Sequence, residues 1–215
     1  MTLRLGQTAP DFEQDTANGS IRFHEWLGAS WCMLFSHPQN FTPVSATELA
    51  AVARLAPEWA RRGVKVVGLS ADTAEGHIAW LADVEDGQSC MIDFPVIADC
   101  DRTVSMLYGL MDGAATVPAI FVIDPAKIVR LVMAYPACTG RNFAEILRAI
   151  DSLQLADAHA VATPAGWVAG QDVFIAPALS DAEAAARFAG GWTSPKPYLR
   201  VVPQPMHDPD RRVTP

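Results

Sequence analysis

The chain has 215 residues at 23.1 kDa; half of them are apolar and 19% charged, which suits one core-bearing domain with an extension. A mini-protein held by staples, a disordered chain and a collagen-like chain are excluded. The net charge of −8 repels phosphate backbones and argues against a nucleic-acid partner. No apolar run reaches the roughly 18 residues of a membrane span.

The first residues, MTLRLGQTAPDF, hold neither a long apolar core nor a small-residue cleavage site, so no secretory leader is read there. Trp31 to Ser36 (WCMLFS) is the first strand-like run, and Val64 to Ser70, Ala119 to Asp124 and Val129 to Tyr135 follow it. Between the first two, Leu49, Val52, Ala53, Ala56, Trp59 and Ala60 recur at helical spacing. They predict a helix over Ala46 to Arg62, kinked or divided by Pro57 and stopped by Gly63. Thr73 is placed to cap the next helix, with Ile78, Leu81 and Ala82 on one face, and Asp101 to cap the one after it. Asn142 to Leu155 closes the series with Phe143, Ile146, Leu147 and Ile150. Strands alternating with helices make the class α/β, with a largely parallel sheet.

Beyond about residue 160 the pattern changes to isolated aromatics (Trp167, Phe174, Phe188, Trp192, Tyr198) and many prolines, with helical spacing only near Asp181 to Phe188. The expected organisation is a domain over 1–160, an extended C-terminal arm or small appendage, read as a dimerisation domain, over 161–205 and a loose polar tail over 206–215. The aromatics are too apolar for a free tail; they pack on their own domain or carry the arm onto a second subunit.

Cys32, Cys90, Cys100 and Cys138 form neither a CxxC pair nor a zinc spacing, which suits free thiols in a reducing cytoplasm. Cys32, Cys90 and Cys100 read as buried and inert. The five histidines are scattered, so no metal and no cofactor are expected. His24 and His77 read as structural, and His159 and His207 as loop residues. Ser30, in GASWC, has Cys32 where the last glycine of a nucleophile elbow would stand and reads as the start of a strand, and a hydrolase is rejected.

The chemistry concentrates in FSHPQNFTPVSATE, Phe35 to Glu48: a strand end, a proline-containing loop and a helix start. The first helical turn faces an anion with backbone N–H groups and a positive dipole, and Ser45 stands in that turn. Taken without their surroundings, Ser45 is a simple cap residue, Thr42 an ST-turn hydroxyl and Arg141 a surface cation paired with Glu48.

This segment resembles the active-site loop of the peroxiredoxins, Pro-x-x-x-Thr/Ser-x-x-Cys, with Pro38, Thr42 and Ser45 falling on it. IRFHEWLG, SADTAEGHIAW, FPVIAD, YPACTGRNFAEILR, VATPAGW and PYLRVVPQP extend the resemblance to the one-cysteine branch over roughly residues 3 to 205. It implies a thioredoxin-like α/β fold with a C-terminal extension. The implied activity is an antioxidant, thiol-dependent peroxidase that reduces hydrogen peroxide and organic hydroperoxides. Its partners would be the hydroperoxide, an external thiol reductant and a second copy in a homodimer or higher oligomer. Thr42 would hold the peroxide and the nucleophile, Pro38 shield the site, Arg141 supply positive charge, Glu48 position Arg141 and His37 line the pocket. The resemblance also places Cys138 near that pocket, as a relocated reactive thiol.

Two positions depart from the family pattern. Ser45 stands where the family has its peroxidatic cysteine, and a hydroxyl is too weakly acidic to attack as an anion and cannot pass through sulfenic acid. Pro118 stands where the family has a second active-site arginine. The segment TVPAIFVID instead resembles the cis-proline segment of thioredoxin-like folds, predicting a cis Val117–Pro118 bond. Engineering and natural loss of the nucleophile both produce Ser45. Two functions follow: a thiol peroxidase inactive or trapped by Ser45, or a non-peroxidatic homologue with a ligand-binding or structural role. A disulfide reductase would need the CxxC pair that is missing.

Overall fold

The computed structural model describes residues 3–113 and 115–206. The chain divides into two compact units, one ending at Phe143 and one beginning at Ala144.

The first unit is built on a seven-stranded sheet. Its elements in chain order are β1 (Glu13–Thr16), β2 (Gly19–Arg22), α1 (Phe23–Leu27), β3 (Trp31–Ser36), α2 (Pro43–Arg54), α3 (Ala56–Arg61), β4 (Val64–Ser70), α4 (Ala74–Gln88), β5 (Val96–Ala98), α5 (Thr103–Leu107), β6 (Met111–Asp112), β7 (Ala115–Thr116), β8 (Ala119–Ile123) and β9 (Val129–Ala134). The sheet order is β2-β1-β5-β4-β3-β8-β9, with β6 and β7 a separate short pair. β3 lies parallel to β4 and antiparallel to β8, β4 is parallel to β5, and β9 runs antiparallel to β8. The sheet is therefore mixed, with its parallel strands at the centre. All of β3 after Trp31 and all of β8 are buried, as central strands covered on both faces must be, and this is why both read as unbroken apolar runs. One core cluster joins Leu34, Val67, Leu69, Ile97 and Phe121 to the stacked rings of Phe12 and Phe23, 4.8 Å apart, and to Tyr108.

The predicted helix over Ala46 to Arg62 is two helices, and it begins three residues earlier. Pro57 has no N–H to donate to the carbonyl four residues back, so the chain breaks at Leu55 and restarts with Pro57 in the first turn of α3. Gly63, at φ +63, ends the segment. Thr73 caps α4, accepting from the Gly76 N–H. Asp101 is not the cap of α5: that residue is Arg102, in the left-handed region at φ 62. The buried Asp99 carboxylate takes the N–H groups of Val104 and Ser105, leaving Asp101 the N–H of Thr103.

α6 (Phe143–His159) leads into the second unit, so His159 ends a helix and does not lie in a loop. There β10 (Val161–Ala162), β11 (Val173–Ile175), β12 (Thr193–Lys196) and β13 (Leu199–Val202) form an antiparallel sheet in the order β10-β11-β13-β12. α7 (Asp181–Arg187) opens with a capping box between Ser180 and Glu183. Trp167, Leu155, Val161, Val173, Ile175, Ala184 and Val202 fill its core, with Phe188 and Trp192 packed against them. These residues thus form a folded unit with a core of its own. His207 lies outside the described residues.

Candidate active site

β3 delivers the chain to a loop, His37 to Phe41, that returns into the first turn of α2. Phe41 closes the loop at φ 55, a left-handed conformation that is strained for an aromatic residue, and its side chain is 64% exposed. Thr42 is the N-cap of α2 and Pro43 the first helical residue, where the missing N–H costs nothing. Ser45 is therefore the third helical residue, and it is buried. The Thr42 side chain makes no capping bond, so the positive end of α2 is left for whatever occupies position 45.

The Thr42 hydroxyl lies 2.6 Å from Ser45 Oγ and 3.1 Å from the Gln39 carbonyl oxygen. Thr42 carries one proton, and an anion at position 45 would draw it there as a charge-assisted hydrogen bond. One turn further along α2, Glu48 is buried and accepts from Arg141 three times: from the backbone N–H at 2.8 Å, from Nε at 2.9 Å and from a terminal guanidinium nitrogen. Another guanidinium nitrogen donates to the Ala119 carbonyl at 2.9 Å. The guanidinium is wholly buried, its carbon 5.6 Å from the ring centroid of Phe35 and 5.9 Å from that of Phe143. α2, β3, the start of β8 and the loop before α6 thus meet around one buried ion pair whose charges cancel.

Pro118 is buried and precedes Ala119, whose carbonyl the guanidinium reaches, and its peptide is trans, as are all described peptides. The cis bond predicted from the sequence is not formed. Pro118 has no N–H for the β3 ladder, and the Ser36 hydroxyl bridges the gap, donating to the Val117 carbonyl at 2.6 Å and accepting from the Ala119 N–H at 2.9 Å. Pro38 is half-buried in the loop.

His37 is fully buried, and burial pushes its pKa down to about 3, so the imidazole is neutral. Its Nε2 lies 3.4 Å from the side-chain amide of Asn40 and its Nδ1 has no protein partner. The same amide is 3.1 Å from Nδ1 of the buried His77. The Asn40 backbone N–H donates to Asp72, whose carboxylate also accepts from Ser70. Asn40, Asp72 and Ser36 carry no signal in the sequence, and only the meeting of β3, β4 and α4 gives them partners.

Burial pushes the Cys32 thiol well above its ordinary range. Cys90 is half-buried, and Cys100 and Cys138 are exposed, so the expected burial of Cys90 and Cys100 is not found. Both lie outside the core because the segment between them reaches the sheet only at β5. Ser30 does not begin the strand: it lies in the turn before β3, its N–H bonded to the Leu27 carbonyl.

The sequence profile of the AhpC/TSA family matches residues 5–132, and that of the C-terminal domain of 1-Cys peroxiredoxin matches residues 152–191. A 1-Cys peroxiredoxin of Dictyostelium discoideum is 45% identical over 207 residues, covering 94% of this chain and 86% of that protein. The yeast mitochondrial 1-Cys peroxiredoxin, solved for its thiol resolving mechanism via glutathione/thioredoxin systems, superposes with a TM-score of 0.90 at 42% identity, covering 94% of this chain and all of that one. A cysteine-to-serine mutant of peroxiredoxin 6 from Arenicola marina gives a TM-score of 0.89 at 42% identity, covering 95% of this chain and all of that one. With its mixed thioredoxin-like sheet and a second unit matched by the 1-Cys C-terminal profile, the chain belongs to the peroxiredoxins, the AhpC/TSA family of thiol peroxidases, in the one-cysteine branch.

Proposed function

We propose that position 45 is the reacting position of a hydroperoxide pocket and that, with serine there, this chain holds the pocket without turning substrate over. The observation that carries the reading is the 2.6 Å contact between Thr42 and Ser45 in the first turn of α2, one turn from the buried Glu48–Arg141 pair. A cysteine at that position would have its thiolate stabilised by the helix dipole, its own backbone N–H and the Thr42 hydroxyl. It would attack the terminal oxygen of hydrogen peroxide or an organic hydroperoxide, forming an S–O bond as the O–O bond breaks and water or an alcohol leaves. An external thiol would then reduce the sulfenic acid, a role supported by the thiol systems with which the yeast relative was studied. In this reading Thr42 orients the nucleophile and the peroxide, Pro38 shields the site and His37 lines it. Arg141, its charge balanced by Glu48, directs its remaining N–H groups at the substrate.

A ligand-binding or structural homologue is the second reading, and Pro118 favours it, because an apolar ring stands where a second cation would otherwise face the site. We place the chain in the cytoplasm on its four free thiols. We assign residues 161–205 to homodimer formation on the match to the 1-Cys C-terminal domain and the exposure of Val168 and Tyr198. Hydrogen peroxide consumption under excess small thiol, compared between the chain and its Ser45→Cys variant with intact mass following sulfenic acid, tests the site. Turnover only in the variant supports a competent pocket. No turnover in either transfers the assignment to the second reading.

A further inference from the structure

Asn40 stands in the middle of a run of hydrogen-bonding groups that begins at a backbone carbonyl of β5 and ends at the ring of His37. The far end is fixed first. His77 Nε2 lies 3.1 Å from the Ile97 carbonyl oxygen, which can only accept, so Nε2 carries the proton. Burial pushes the His77 pKa down, so the ring holds a single proton at neutral pH and Nδ1 is a bare acceptor. An acceptor 3.1 Å from the Asn40 amide needs the amide's NH2 group, not its oxygen. That same amide group is 3.4 Å from His37 Nε2. One NH2 has two protons, enough for both rings, and each ring then receives one on a bare nitrogen. In the structure Oδ1 faces both rings, so a bare ring nitrogen meets an oxygen and the buried amide nitrogen has no partner; turning the amide end for end leaves its oxygen in that unpartnered place and gives both rings a donor.

We infer that Asn40, oriented by His77 and the Ile97 carbonyl, is a positioning residue that fixes the proton of His37 on Nδ1. His37 Nδ1 is fully buried and has no protein partner, so its N–H is a donor held in reserve five residues before Thr42. A peroxide or alkoxide oxygen accepts hydrogen bonds, and the other tautomer would meet it with a lone pair. The backbone of Asn40 is itself pinned to Asp72, which Ser70 also holds, so the amide turns within a fixed frame. The use of this donor by a hydroperoxide rests on the reading of position 45 given above, whereas the tautomer does not.

Imidazole nitrogen resonances of the full chain, uniformly labelled with 15N and assigned with His37→Gln and His77→Gln, test the inference. The expected spectrum has His37 protonated at Nδ1 and bare at Nε2, with His77 the reverse. Asn40→Asp, whose carboxylate can only accept, should move the His37 proton to Nε2. A His37 protonated at Nε2 in the unaltered chain overturns the inference, as does a folded Asn40→Asp in which His37 keeps its proton on Nδ1. Should Asn40→Asp fail to fold, the unaltered chain alone decides. In the Ser45→Cys background, Asn40→Asp should slow peroxide consumption at least tenfold. A Ser45→Cys protein with no activity would remove the functional reading and leave the tautomer result standing.

Discussion

Among the described residues, the unit ending at Phe143 buries Ser36, His37, Asn40, Ser45, Glu48 and Arg141 close together, whereas every buried side chain from Ala144 onward is apolar. A buried polar group costs stability unless it is fully hydrogen-bonded, and a buried ion pair offsets its desolvation only with good geometry. The second unit carries none of that cost and depends on packing around Trp167. The first accepts it at several places, with one dense group around the loop before α2 and the start of that helix. Where a fold concentrates such groups, their replacement should reach beyond stability into chemistry; where it holds only apolar contacts, replacement should act on stability alone.

The contrast breaks most readily at its two strongest points. Arg141→Met leaves the Glu48 carboxylate buried and unpaired and should lower unfolding stability by about 3–5 kcal/mol in urea titration. Glu48→Leu combined with Arg141→Met should recover most of that loss while a Ser45→Cys background loses its peroxidase activity. A double variant as unstable as the single one would mean that the pair itself contributes net stability. Trp167→Ala should also cost about 3–5 kcal/mol, through the cavity it leaves. It should not move the thiol pKa of Ser45→Cys; a shift there would show that the second unit bears on the chemistry.

The elements that could be read from the sequence are those whose pattern is decided locally. β3, β4 and β8 are long β-branched or aromatic runs, and α4 and α6 have clear caps or faces. The four strands of the second unit have two to four residues each, too short for periodicity, and β12 contains Pro195, which only an edge strand tolerates. The site divides the same way. Thr42 and Ser45 are neighbours in sequence, and Glu48 lies one turn on, so their motif was legible. Its link to Arg141, 93 positions away, came only through the family resemblance. The Asn40–His77 contact spans 37 positions and belongs to no motif, and the Ser36 bonds to either side of Pro118 span 81 and 83 positions.

A pH-dependent effect falls on the first unit. Burial holds the folded-state pKa of His37 at about 3 and lowers that of His77, while both titrate near 6.5 when unfolded. The unfolded chain therefore binds more protons below about pH 6.5, and stability should fall as pH drops from there toward 3. For His37 the slope should reach about 1.4 kcal/mol per pH unit, and His77 adds to it in the same direction. Glu58, Glu145 and Glu183, whose hydrogen bonds hold their pKa values down, add their losses only below about pH 4.5. Urea titrations between pH 6.5 and 4.5 thus isolate the histidines, and His77→Gln should flatten the slope there. An unchanged slope would place the acid sensitivity elsewhere.

Thr42→Val should have the smallest effect on stability and the most informative one on chemistry. The substitution keeps the shape of the N-cap and removes one hydroxyl that caps nothing, so the serine protein should lose only about 1 kcal/mol. In the Ser45→Cys background the same hydroxyl would face a thiolate, where a hydrogen bond to a charged group is worth about 1.5–3 kcal/mol. Removing it should raise the thiol pKa and slow peroxide consumption by about 10- to 100-fold, read by pH-dependent alkylation and by turnover. A thiol pKa indifferent to Thr42 would leave the helix dipole as the source of any activation, and the 2.6 Å contact in the serine protein would be a hydroxyl pair with no part in the reaction.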